Sequence, residues 1–208
     1  MFIYILVAII AYCLGSISFS VLISKKMAGF DVREKGSKNA GSTNVLRTVG
    51  KRAALLTLIC DILKGVFAVL IAAWLGSMFT SADKALLVQI AGLAAVIGHT
   101  FPVFFKFKGG KGVATALGVL LITNWKIGLI CLVFALLIMA ITRIVSLGSL
   151  AAAVLFPVLT IFIHDNYIAY GSYLVFGVLM AGLVIYNHRT NIQRLAKGTE
   201  NKLSFKKK

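Results

Sequence analysis

Stretches of almost unbroken apolar residues alternate with short polar breaks along the chain, near 2–24, 53–77, 85–105, 112–124, 126–142, 146–163 and 170–187. Most approach the roughly 20 residues that a helix needs to cross the hydrocarbon of a bilayer. In lipid, backbone groups are satisfied only inside helices or closed barrels. The pattern predicts an all-α, polytopic integral membrane protein of about seven transmembrane helices, with five or six spans as the alternatives. The fourth stretch is short and contains glycine, so it reads as a half-span or a tilted helix. A chain of 208 residues leaves little beyond one bundle, so 1–208 is expected to form a single membrane-embedded domain.

Composition removes the soluble alternative. Hydrophobic residues make up 60% and charged residues 13% of the chain, about half the charged share of a soluble domain. The mean hydropathy is +0.96. The first apolar run has no basic residue before it and ends in Lys25-Lys26, which predicts an uncleaved span rather than a signal peptide. Cys13, Cys60 and Cys131 fall in apolar stretches without pairing or zinc-ligand spacing and read as small buried side chains.

The net charge of +16 is unevenly placed. Lys25, Lys26, Arg33, Lys35, Lys38, Arg47, Lys51 and Arg52 lie in the first break, Lys106, Lys108 and Lys111 in the third and Arg143 in the fifth. A further basic group follows His188, ending in Lys206-Lys207-Lys208, which read as a membrane-surface anchor. The other breaks hold only Lys84 and Lys126, with Asp83 and Asp165. The positive-inside rule then predicts an outside N-terminus and a cytoplasmic C-terminus. Positive charge there also attracts anionic lipid, so the charge alone identifies no substrate. No basic and aromatic recognition module accompanies it, which argues against nucleic acid.

Three polar constellations fall on that predicted cytoplasmic side. The first, Gly36-Ser37-Lys38-Asn39-Ala40-Gly41-Ser42-Thr43-Asn44-Val45-Leu46-Arg47, is dense in hydroxyls and amides beside glycines. Successive N–H groups in such a turn can form an anion-binding nest, and Arg47 could grip phosphate with its fork. The plainer reading is a solvated loop with Asx and Ser turns, but the side chains exceed what a turn requires. The second contains Gly98-His99-Thr100-Phe101-Pro102 and then Phe107-Lys108-Gly109-Gly110-Lys111-Gly112-Val113-Ala114-Thr115. It lacks Walker spacing and a preceding strand. Its glycines can nevertheless let the main chain wrap an anion, with Lys111 and a helix start near Gly112 facing it. His99 reads equally as a hydrogen-bonded helix-end residue and as part of a site. In the third, Asn187-His188-Arg189-Thr190-Asn191-Ile192-Gln193-Arg194 with Gly198-Thr199-Glu200, residues His188, Asn191 and Arg194 share a helical face.

Inside the second apolar stretch, Asp61 and Lys64 lie three residues apart on one helical face. Charges at that depth are costly unless paired or facing a polar cavity; a structural ion pair is the favoured reading and a wall of the polar site the other. Arg143 reads as an anchor or as an inward-facing phosphate partner. His164, beside Asp165, reads as a solvated loop residue.

Gly-Ser-x-Asn-x-Gly-x-Thr-Asn-x-x-Arg at 36–47, Gly-His-x-x-Pro with Phe-x-Gly-Gly-Lys-Gly at 98–112, and Asn-His-x-x-Asn with Gly-x-Glu at 187–200 resemble the bacterial membrane-integral acyl-phosphate:glycerol-3-phosphate acyltransferases. Asp-x-x-Lys-Gly at 61–65 and Thr142-Arg143 also resemble that family, and the resemblance runs through essentially the whole chain. It implies a seven-span fold in the bacterial inner membrane with a cytoplasmic active site. It also implies transfer of a fatty acyl group from acyl phosphate to the 1-hydroxyl of glycerol 3-phosphate, giving lysophosphatidic acid. By position, Ser37, Arg47, His188, Asn191 and Glu200 are the expected catalytic residues. Asn39, Gly41, Thr43, Asn44, His99, Lys108, Gly109, Gly110, Lys111, Gly112, Thr115, Arg143 and Asn187 are expected to bind substrate, the three loop glycines on the acyl-phosphate side. No cofactor or metal is expected, and the chain is expected to work as a monomer with membrane lipid around it.

The residues themselves add a mechanism. A mixed anhydride is already activated, so positioning and charge stabilisation suffice. None of the histidines has Asp five residues later, and no serine sits in a Gly-x-Ser-x-Gly elbow. Direct attack without an acyl-enzyme is therefore expected, with the hydroxyl proton passing to the donor's phosphate; His99 or His188 as general base is the competing version. The residues alone do not separate acyl phosphate from acyl-CoA. The rival class is a transporter or flippase of phosphorylated metabolites, which would share polar motifs and intramembrane charge.

Overall fold

The computed structural model describes residues 1–79, 82–163 and 170–203. The expectations for His164, Asp165 and Lys206–Lys208 fall outside these residues. The described residues form α-helices and short 3-10 turns, with no strand among them. They divide into two compact units, Met1–Thr123 and Asn124–Lys208.

The first unit holds α1 (Phe2–Gly15), α2 (Phe19–Ala28), α3 (Ser42–Thr48), α4 (Lys51–Met78), α5 (Lys84–Thr100) and α6 (Val113–Thr123). The first apolar run, read from sequence as one uncleaved span, remains a single candidate span over Phe2–Ala28, with a helix break at Ser16–Ser18 between α1 and α2. Hydropathy averages over such a break, because the apolar run continues through it. What makes the break affordable is the Lys64 Nζ, which donates to the freed Ile17 carbonyl at 2.9 Å.

Helix α5 packs on α1, α4 and α6 and is the most buried of this unit's long apolar spans. Small residues permit the contacts. A methyl group at Gly15 would strike the Ala95 backbone, and one at Gly98 would strike the Tyr12 carbonyl. Helices α4 and α6 cross in the same way, Gly65 against the Thr115 carbonyl and Gly118 against the Ile62 carbonyl. Such close backbone approach is how helices associate in lipid, where apolar burial between them brings little. Large side chains such as Leu55, Phe67 and Trp74 stay exposed on α4, as expected for a lipid-facing surface. Asp83 begins α5 as its N-cap, accepting from the Ala85 and Leu86 amides.

The second unit holds α7 (Trp125–Thr142), α8 (Val145–Phe162), α9 (Tyr170–Asn187) and α10 (Arg189–Ala196). Asn124 caps α7 through the Ile127 amide. Helix α8 packs on both α7 and α9, with Gly148 against the Ala135 carbonyl of α7. Phe156, Tyr173 and Phe176 form an aromatic cluster between α8 and α9, with ring centroids 5.5–5.9 Å apart. Helices α9 and α10 meet at 63°.

Among the described residues, five segments are long and apolar enough to cross a membrane, or six if α9 and α10 together make one bent span. With 11 residues, α6 reaches about half the hydrocarbon thickness; its short apolar run reads as a half-span or a tilted helix.

Candidate active site

In the first unit, two loops come together beyond the helix ends. Residues 29–41 are folded around Asn44, whose side-chain nitrogen donates to the carbonyls of Val32, Lys35 and Asn39 at 2.9–3.1 Å. Its side-chain oxygen accepts from the Ser37 amide at 2.9 Å. Sequence reading expected Asn44 to meet substrate; the structure buries it and commits its amide to the shape of the loop. Around this pivot Ser37, Lys38 and Arg47 are exposed, while Asn39, Gly41 and Thr43 are partly covered. Gly36 and Lys38 both adopt left-handed backbone conformations, the turn that brings Ser37 outward.

The second loop, 101–112, is pinned to the end of α5. The Gly110 amide donates to the His99 carbonyl at 3.0 Å and the Gly109 amide to the Thr100 carbonyl at 3.1 Å. The amides of Gly109 and Gly110, expected to wrap an anion, therefore face helix α5 instead. The glycines are needed there because a methyl group at Gly109 would strike the His99 carbonyl, and one at Gly110 would strike the His99 ring. Lys108 is exposed and Lys111 partly so. Gly112, with φ +83°, turns the chain into α6. In the first turn of α6, the Thr115 hydroxyl is buried with no hydrogen-bond partner among the described residues.

Two contacts join these loops. The Ala40 amide donates to the Gly109 carbonyl at 3.4 Å. Arg33 grips Asp31 with Nε and Nη2 at 3.0 and 2.7 Å, and its Nη1 reaches the carbonyls of Phe105 and Lys108 at 2.7 and 3.1 Å. Hydrogen bonding from Arg33 holds the Asp31 carboxyl below its ordinary range. Sequence reading treated Arg33 as one basic residue among many and gave Asp31 no role. No local spacing could have revealed a contact across more than seventy positions of chain.

Beneath these loops lie Asp61, Lys64 and His99, all buried. Asp61 Oδ1 is 3.0 Å from Lys64 Nζ and 3.5 Å from His99 Nδ1. These are electrostatic contacts without hydrogen-bond alignment, since Asp61 Oδ1 and His99 Nδ1 lack aligned partners. The ion-pair reading of Asp61 and Lys64 holds, and the pair reaches a residue that carries the glycine loop.

The second unit gathers the third motif into a separate cluster. Glu200 accepts from Ser146 Oγ at 3.0 Å and Asn191 Nδ2 at 2.6 Å through Oε1, and from Arg194 Nε at 2.7 Å through Oε2. Burial raises the Glu200 pKa, but the hydrogen bonds from Arg194, Asn191 and Ser146 together hold it below its ordinary value. Ser146 was not singled out from sequence; its place beside Thr142-Arg143 was the available signal. His188 is buried at the α9–α10 bend with Nδ1 2.8 Å from the Val184 carbonyl. A carbonyl only accepts, so Nδ1 carries the proton in this arrangement. Asn187 ends α9, partly covered. Arg143 is exposed, left-handed at φ +60°, and ends α7, while its carbonyl accepts from the Leu203 amide.

The fold defines a polytopic all-α membrane protein with polar, glycine-rich loops at its helix ends. The sequence model of the family described as glycerol-3-phosphate acyltransferase matches residues 5–198, and the chain belongs to this family. It is 45% identical over 206 residues to a glycerol-3-phosphate acyltransferase of Clostridioides difficile (strain 630), covering 99% of this chain and 98% of that protein. A glycerol-3-phosphate acyltransferase of Methylococcus capsulatus is 47% identical over 197 residues, covering 95% and 94%. Two crystal structures of PlsY (YgiH), an integral membrane glycerol 3-phosphate acyltransferase, are also similar. Its glycerol 3-phosphate form gives a TM-score of 0.84 at 39% identity over 97% of this chain and 96% of that one. Its lysophosphatidic acid form gives 0.82 at 37% identity over 97% and 95%. The transporter reading falls with this membership.

Proposed function

We propose that this chain transfers a fatty acyl group from an acyl phosphate to the sn-1 hydroxyl of glycerol 3-phosphate, releasing lysophosphatidic acid and inorganic phosphate for phospholipid biosynthesis. The observation that carries the reading is the pairing of two phosphate-type loops in one unit, joined by the Ala40–Gly109 bond and the Arg33 clamp. Each substrate brings a phosphate, so two anion-facing loops match the reaction's needs. The related crystal structures named for glycerol 3-phosphate and lysophosphatidic acid supply the acceptor and product by analogy.

Arg47 and Ser37, held outward by the Asn44 pivot, grip one phosphate. Lys111, with the Gly112 turn and the open first turn of α6, faces the other, because the Gly109 and Gly110 amides are already committed to α5. The acceptor hydroxyl attacks the acyl carbonyl carbon, the bond from that carbon to the bridging oxygen breaks, and phosphate leaves with the electron pair. The hydroxyl proton passes to the departing phosphate, so no acyl-enzyme forms. His188, Asn191 and Glu200 order the third motif, and the two units act as one acyltransferase domain.

The basic loops favour an N-terminus outside and a C-terminus and active site on the cytoplasmic face of a bacterial inner membrane, a reading that counts α6 as the fourth of seven spans. The chain acts as a monomer. Purified full-length protein, offered glycerol 3-phosphate with acyl phosphate or acyl-CoA separately, tests the proposal. Lysophosphatidic acid formed from acyl phosphate alone is the expected result. Equal turnover with acyl-CoA reassigns the donor, and no turnover with either, in folded protein, overturns the reading.

A further inference from the structure

The members of the buried group Asp61, Lys64 and His99 are only 2%, 3% and 7% accessible, and all three are ionisable side chains in apolar spans. Removing such charges from water costs several kcal/mol each unless partners compensate. A simple ion pair would need only Asp61 and Lys64. Here Lys64 also caps the Ile17 carbonyl at the α1–α2 break, and Asp61 also faces the His99 ring. Three parts of the first unit, the broken span, α4 and the end of α5, therefore converge on one carboxylate.

His99 passes that constraint outward by two routes. Its carbonyl receives the Gly110 amide, and its ring lies where any side chain on Gly110 would have to go. The next residue, Thr100, receives the Gly109 amide, and the Gly109 carbonyl in turn accepts from Ala40 of the first loop. A rotation or shift of His99 thus moves the glycine loop directly, and the first loop only at second hand, through the 3.4 Å Ala40–Gly109 bond and the Arg33 clamp.

We infer that Asp61, Lys64 and His99 are positioning residues that set the height of the glycine loop and so the fit of acyl phosphate, while touching neither substrate. The inference rests on the proposed acyl-phosphate reading. Positioning of one substrate has a kinetic signature that loss of folded protein lacks: KM rises for the substrate concerned, whereas a smaller active fraction lowers kcat alone.

The test is initial-rate kinetics of the full-length protein and its Asp61→Asn variant, each substrate varied in turn, with the folded fraction measured by size-exclusion chromatography. The expected result is a rise of about tenfold or more in KM for acyl phosphate, with KM for glycerol 3-phosphate within about twofold of wild type. His99→Asn, which leaves the Asp61–Lys64 pair whole, carries the same expectation if Asp61→Asn does not fold. Unchanged KM values with kcat falling only as folded protein falls, equal rises in both, or a rise confined to glycerol 3-phosphate would each overturn the inference alone. Wild-type protein that does not turn over acyl phosphate overturns the underlying reading and this inference with it.

Discussion

In the first unit, segments 29–41 and 101–112 are held largely by main-chain groups and by Asn44 and Arg33, and Ser37, Arg47 and Lys108 remain exposed at their surface. In the second, Ser146, Asn191, Arg194 and Glu200 are held by one another. The first arrangement fixes the backbone while charged and hydroxyl side chains stay exposed, which under the proposed reaction is the preorganisation that transition-state stabilisation needs. The second satisfies its own charges and, through Glu200, ties α10 to the start of α8. A motif residue therefore has different worth in the two places: changes in the first unit should show in kinetics, and changes in the second in stability first.

The largest effect should come from Gly110→Ala, because the added methyl group meets the His99 ring and the Ala40 carbonyl at once. Activity below about 1% of wild type, in protein that still elutes as folded, is the expected outcome, in line with the cost of misplacing reacting groups by an ångström. Next, Arg47→Ala should lower kcat/KM by about 100-fold through loss of a forked phosphate contact, and Arg47→Lys should restore only part of it. Lys111→Ala should lower kcat/KM by about tenfold or more as a lost point charge. Wild-type kinetics in either variant would erase the distinction for that loop.

The second unit sharpens the comparison from the other side. Glu200→Gln should destabilise the protein by about 1–3 kcal/mol, because the Arg194 guanidinium loses its carboxylate partner. Thermal unfolding in detergent checks it. The effect should depend on pH in a fixed direction. Glu200 titrates below its ordinary 4.5 in the folded protein, so its contribution is complete above that value and fades as pH falls through the folded pKa. The melting difference between wild type and Glu200→Gln should therefore be constant from neutral pH down to about 5 and shrink below about 4.5. Asp31 titrates in the same acid range but is present in both proteins, so it cancels from the difference.

Helices α4, α5, α7, α8 and α9 were legible because long apolar runs with polar ends admit few other structures in lipid, and α6 as a shorter apolar run that reads as a half-span or a tilted helix. The break at Ser16–Ser18 was not legible, since the carbonyl it frees is answered by Lys64 from another helix. The three motifs were legible as polar, glycine-rich loops, but the direction of their amides was not. Whether Gly109 and Gly110 present N–H groups to a ligand or to α5 depends on where α5 ends. Asn44 shows the same limit: its residue type suits a ligand and a loop pivot equally, and only burial decides. Arg33 and Ser146 escaped because their partners lie far along the chain.

The central claim is that two ordered anion-facing loops, and no protein nucleophile, carry the acyl transfer. Rapid mixing of the full-length protein with radiolabelled acyl phosphate in the absence of glycerol 3-phosphate, followed by acid quench, tests it most directly. The account predicts no labelled protein above background and formation of labelled lysophosphatidic acid only when glycerol 3-phosphate is added. A near-stoichiometric acyl-protein that chases into lysophosphatidic acid on adding glycerol 3-phosphate would contradict it.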